Sequence, residues 1–137
     1  MGSPRTLSKK QIMEMISRGT SLADADIRGL DLAGGCFEGA DLEMAKLAEC
    51  NLTRATFRKA KLRQASLWSA DCRDAVFDGA DLEEADLDFT ELDGATFLGA
   101  KVKKAIFPFN RVSLEQVAIS VKTGKRLRME RASGDDQ

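Results

Sequence analysis

A large apolar residue returns at every fifth position from Leu22 to Phe107, and no other feature of the chain constrains its fold so tightly. The slots at 22, 27, 32 and onward hold Leu, Ile, Phe, Val or Cys72 through eighteen units without an insertion. Two positions before each stands a small residue, most often alanine, as at Ala40, Ala45 and Ala55 through Ala85. Five matches neither regular period: a helix repeats every ~3.6 residues and a strand every ~2.

Residues two apart on an extended chain point the same way, so each small-x-large trio can bury both members together. Because five is odd, a straight strand would turn alternate units outward and expose half of the leucines. The chain must therefore bend at every unit. Bends repeated in one sense make a coil, and stacked coils bury a continuous inner stripe, as solenoids do. Phe37, Phe57, Phe77 and Phe97 recur every twenty residues. Four sides per coil would stack these rings in one ladder at roughly the 4.8 Å spacing of neighbouring strands. The units then make a little over four coils, a rod on the order of 20 Å long. Alanine suits the second inward slot, because four large side chains per layer would overpack it.

Units such as "ADLEE", "ADLDF", "AKLRQ" and "CNLTR" resemble the A(D/N)LXX unit of the pentapeptide-repeat family. The resemblance covers residues 20 to 107. It implies an all-β fold, a right-handed quadrilateral parallel β-helix, with the handedness coming from the resemblance alone. On the phenylalanine side the Asp/Asn slot holds Cys36, Thr56, Val76 and Thr96, where β-branched packing is expected in place of polar turn bonds.

A solenoid exposes a core layer and unpaired backbone at each end, so the flanks read as caps. Residues 1–19 form an N-terminal cap: Ser8 with Gln11 makes a capping box, Ile12, Met15 and Ile16 share a face, and Gly19 is the stop, predicting a short helix over 8–18. Residues 20–109 form the rod, and 110–137 a C-terminal cap and tail. There Ser113 with Gln116 and Gly124 as terminator predict a helix near 114–123. A hairpin around Thr123-Gly124 is the alternative, since the segment is rich in β-branched residues. Residues 128–137 are expected to be mobile.

With 21 basic and 22 acidic residues the net charge is -1, so no global field recruits nucleic acid or an anionic membrane. The N-terminus lacks the apolar core of a signal peptide, which reads as a cytoplasmic protein. Columns twenty residues apart alternate in sign: Asp41, Lys61, Asp81, Lys101; Glu43, Arg63, Glu83, Lys103; and Glu38, Arg58, Asp78. Cross-strand ion pairing is the expected use of these charges, not catalysis, for a convex rod has no cleft. The chain has no histidine and no tyrosine. An enzyme, a metal site and a cofactor are accordingly not expected, and Cys50 and Cys72 read as buried packing thiols, with Cys36 in a turn slot.

The resemblance also implies a candidate activity, since the family includes rod-shaped binders of DNA gyrase that imitate duplex DNA. Such imitation needs a long, continuous negative face. Arg54, Arg58, Lys59, Lys61 and Arg63 interrupt it as a basic belt, but one acidic side survives: Asp31, Asn51, Asp71 and Glu91, flanked by Asp74 and Asp93 and opposed by Arg54 and Arg73. A second candidate surface is aromatic. Trp68, Phe89 and Phe109 fall in outward slots of one side, Phe109 in the column above Phe89. Either the C-terminal helix folds over them or they form an interface with a second copy or a partner. Leu98 points outward on the phenylalanine side without a comparable explanation. The reading that follows is a non-enzymatic protein-interaction module of a bacterial cell, binding a protein partner through its outer faces. A gyrase or topoisomerase binder and a secretion-system effector or adaptor are the alternatives.

Overall fold

A computed structural model describes residues 7–131. From residue 26 to residue 106 every fifth residue forms a parallel bridge with the residue twenty positions away, as in Asp26 with Lys46, Cys36 with Thr56 and Asp86 with Ile106. Four five-residue units thus complete one turn of the coil. We number the sides by their inward residues: the first holds Leu22, Leu42, Leu62 and Leu82; the second Ile27, Leu47, Leu67 and Leu87. The third holds Leu32, Leu52, Cys72 and Leu92, and the fourth the phenylalanines. All of these are buried, and so are the alanines that precede them from Ala40 to Ala100.

The corner explains why no side becomes an extended strand among the described residues. In the units from Leu22 to Val102, that of Ile27 excepted, the carbonyl of the inward residue accepts a hydrogen bond from the small residue three positions on, as from Ala25 N–H to Leu22 at 3.0 Å. The residue before that small one has positive φ at every corner from Asp24 to Lys104. Only one bridging residue per side remains, so pairing is by single bridges stacked along the rod. The Asp or Asn of the repeat serves the same corner: Asp26, Asp31, Asp41, Asn51, Asp71, Asp81 and Asp86 each accept the backbone N–H two residues on. On the fourth side this bond is not lost altogether, for Thr56 Oγ1 accepts from Arg58 N–H at 3.4 Å.

Two helices sit at the ends. Helix α1, Lys9–Ser17, starts at Ser8 with both capping-box bonds, buries Ile12, and is followed by Gly19 at φ 75°. Helix α2, Leu114–Thr123, starts at Ser113 with the same box and ends at Gly124, whose φ of 78° is the left-handed cap glycine favours. The hairpin does not form. Val112, Val117 and Leu127 join the core and close it above the last coil.

The first residues of the tail expected to be mobile are hydrogen-bonded to the coil. Leu127 accepts from Gly94 N–H and donates to Ala95 C=O, Met129 N–H donates to Asp93 Oδ1 at 2.7 Å, and Glu130 N–H donates to Arg111 C=O. Leu92 N–H finds the sulfur of Met129. The segment after α2 therefore lies antiparallel across the open edge of the third side, satisfying backbone that would otherwise be unpaired. Residues 132–137 of the expected tail lie outside the described residues.

Charge columns pair only in part. Arg58 meets Asp78 at 3.5 Å, and Arg63 meets Glu83 and Glu84. Along Asp41, Lys61, Asp81 and Lys101 no ion pair forms among the described residues, because the short Asp side chains are turned back onto the N–H groups of Glu43 and Glu83. Pairs this exposed contribute about 0 to 1 kcal/mol each.

Candidate functional site

Two surfaces carry more than the coil needs. The first is the C-terminal end of the second side. Trp68 and Phe89 meet edge to face, centroids 5.7 Å apart, yet both stay exposed, Phe89 at 64%. Helix α2 does not cover them. Its contacts fall on the fourth side, where Gly99 N–H donates to Val121 C=O and Gly124 lies beside Leu98, which is covered only in part and stays 46% exposed. Phe109 is exposed, but its ring leans on Phe107, centroids 6.0 Å apart, and makes no ring contact with Phe89 among the described residues, so the expected column above Phe89 is not a stack. Ile106 completes the patch, 48% exposed in the slot where the coil below carries Asp86. The sequence reading missed it; a β-branched apolar residue in an outward Asp/Asn slot was the available signal.

Phe89 also occupies a left-handed corner, at φ 59°. The equivalent corners of the same side are Gly29, Glu49 and Ser69. A bulky aromatic gains nothing from that conformation, which disfavours L-residues by ~1–2 kcal/mol.

The second surface is the expected acidic side, and its charge is not what the sequence suggested. Arg73 grips Asp71 through Nε and Nη2 at 2.9 and 2.6 Å, and its hydrogen bond holds the Asp71 carboxyl below the usual range. Arg28 and Asp26 repeat this arrangement on the second side, with Asp26 lowered to about 2 by the same bond. Arg111 pairs with Glu91 at 3.1 Å and Arg126 with Asp74 at 3.5 Å, while Asp93 receives Met129 N–H. Among the described residues Asp31 makes no ion pair and no hydrogen bond to the C-terminal segment; it accepts Ala33 N–H. Arg73 within the coil, Arg111 before α2 and Arg126 in the returning segment together convert a negative side into a mixed one. Of these only Arg126 stands where no period announces its position.

That segment also encloses a groove of about 620 Å³ lined by Arg73, Asp74, Asp93, Arg126, Arg128 and Arg131 among others. Neither surface has the enclosed form of a small-molecule site.

Comparison with known proteins agrees with the repeat. The family model for pentapeptide repeats matches residues 18–43, 36–67 and 70–107, with 8 copies. No curated protein matches the chain closely enough to count as a relative. Among solved structures it is similar to HetL, a pentapeptide repeat protein involved in heterocyst differentiation regulation from the cyanobacterium Nostoc sp. strain PCC 7120, at 30% identity and TM-score 0.58. That match covers 61% of this chain and 40% of HetL. A pentapeptide repeat protein of the Arabidopsis thaliana thylakoid lumen is similar at 32% identity and TM-score 0.58, covering 58% of this chain and 55% of its own. Rfr23 of the cyanobacterium Cyanothece 51142 matches at 28% identity over 61% and 54% of the two chains, with TM-score 0.46. The match therefore spans less than two thirds of each of these proteins. The solved neighbours make the fold a right-handed β-helix.

Proposed function

The chain belongs to the pentapeptide-repeat family, and from that premise we propose that it is a non-enzymatic interaction module. Its rod holds a protein partner against the aromatic corner of the second side. The supporting observation is Phe89, which keeps a large ring in a left-handed corner and leaves it 64% exposed. Every corner shares the left-handed φ, so what points to use at a contact is the ring itself, which lies outside the core, meets only the exposed Trp68 edge to face and stays largely open to solvent. Trp68 packs on it edge to face, and Ile106 and Phe109 are further exposed apolar residues toward the same end of the rod; aromatic anchors of this kind dominate protein interfaces. A convex rod without histidine or tyrosine offers no catalytic constellation to set against this reading. The DNA-imitating alternative loses support because Asp71, Asp74 and Glu91 are each paired with an arginine, leaving no continuous negative side.

The test compares immobilised wild-type chain with Phe89→Gly and with Met44→Gly, a change at the matching corner of the first side. Protein captured from the native cell lysate by the wild type should be retained by Met44→Gly and lost by Phe89→Gly. Light scattering covers the case of a second copy, whose dimer mass should collapse to the monomer in Phe89→Gly. Equal capture and equal mass in all three chains would refute the assignment. Phe89→Gly relieves the corner while losing the Trp68 contact, so its melting temperature should change little and misfolding will not mimic the loss.

A further inference from the structure

We propose that the groove between the third side and the returning C-terminal segment binds an acidic peptide segment through its arginines. The site is distinct from the aromatic corner and stands whether or not that corner is used. Leu127 is buried, and the strand-like alternation around it turns Arg126 and Arg128 outward. A second hollow of about 240 Å³, lined by Thr53, Arg54, Arg73 and Asp74, shares Arg73 and Asp74 with the first, so the two adjoin and together outline the proposed groove. From Arg54 it passes three coil levels to the segment above the last coil. At the spacing of stacked strands this is about 14 Å, the length of roughly four extended residues.

Every cation lining the groove is arginine, whose planar fork pairs carboxylates bidentately where lysine presents a point charge. The carboxylates within are already engaged. Asp93 accepts Met129 N–H, and Asp74 meets Arg126 while its Oδ1 lies so close over Gly94 that a Cβ there would stand 2.0 Å away. Arg54 and Arg128 take part in no ion pair among the described residues. Arg126 remains 70% exposed in its pair and Arg73 57% exposed in its own, so both keep guanidinium edges for a ligand. Duplex nucleic acid fits less well: Asp31, further down the same side and in no ion pair among the described residues, opposes a long polyanion, whereas a short acidic segment stays within the arginines.

The probe is a fluorescein-labelled hexapeptide of alternating Glu and Asp, followed by anisotropy at low and at physiological salt. Saturable binding that weakens with salt is expected. The double change Arg126→Ala with Arg128→Ala should weaken it by about tenfold or more, and Lys103→Ala with Lys104→Ala on the first side by no more than about twofold. Asp74→Asn should tighten it by freeing Arg126 from its internal partner. That gain separates a lost ligand contact from a loosened C-terminal segment. Equal losses in the two double variants, weaker binding by Asp74→Asn, or displacement of the peptide by duplex DNA at lower concentration than by unlabelled peptide would overturn the assignment. None of these readouts involves Phe89, so failure here leaves the aromatic corner untouched, and the reverse.

Discussion

Phe57 and Phe77 stack with their centroids 5.1 Å apart and their planes 4° from parallel. The rings of Phe37 and Phe97 continue the series at 4.7 and 5.0 Å. Isolated aromatic pairs prefer offset or edge-to-face geometry; here the separation follows the rise between coils, because each ring is fixed to a backbone bridged to the next. The ladder is thus imposed by the coil, and its stability comes mainly from burial.

Removing one ring from the middle should therefore be costly. Phe57→Ala leaves a void bounded by two parallel rings that the bridged backbone cannot collapse onto, and should lower unfolding stability by about 3 to 5 kcal/mol. Phe57→Leu, which keeps most of the volume but abolishes the stack, should lose less than half as much. Denaturant titration measures both. Similar losses in the two variants would mean that ring stacking outweighs burial here.

A glycine in the same side shows how closely the first ring is packed. Gly35 holds the small inward slot that alanine occupies in the three coils above, and its φ is not left-handed, so backbone freedom is not the reason. A Cβ at Gly35 would lie 2.8 Å from the Phe37 ring, 3.0 Å from Leu32 C=O and 3.4 Å from Met13 of α1. Gly35→Ala should destabilise by about 1 to 3 kcal/mol through overpacking. If the melting point instead rises, the entropy gained by removing a glycine has outweighed the contact.

How far the residues announced this structure depends on their range of influence. The coil, the ladder and both capping boxes were legible because each is set by spacings of three, five or twenty residues. The course of residues 124–130 was not. Leu127 and Met129 are fixed by backbone bonds to Gly94, Ala95 and Asp93, more than thirty positions away, and leave no period behind. The charge of the third side was misread in part for the same reason, since Arg126 reaches Asp74 only after the chain has turned back; Arg111, by contrast, stands twenty residues after Glu91, so that pair was legible in the repeat spacing. The aromatic corner was visible as outward residues, and Ile106 could have been added from its outward slot twenty residues after Asp86, but the left-handed φ at Phe89 required the backbone.

The three cysteines should divide by position. Cys36 is exposed at the fourth side, whereas Cys50 and Cys72 face inward and are buried. Cys50 donates its S–H to Ile27 C=O at 3.0 Å, and burial raises its thiol above the ordinary value of 9.0. Burial pushes Cys72 up as well, by a larger shift. Since thiolate is the reactive form and must also be reached, a maleimide or disulfide reagent should modify one thiol per folded chain and three after denaturation. Raising the buffer to about pH 8.5 should leave Cys50 and Cys72 silent, because neither deprotonates readily inside an apolar coil. Cys36→Ser should then abolish native labelling, with intact mass spectrometry as the readout. A second thiol reacting in the native state at the rate of Cys36 would mean that the coils open locally far more readily than their continuous bridging allows.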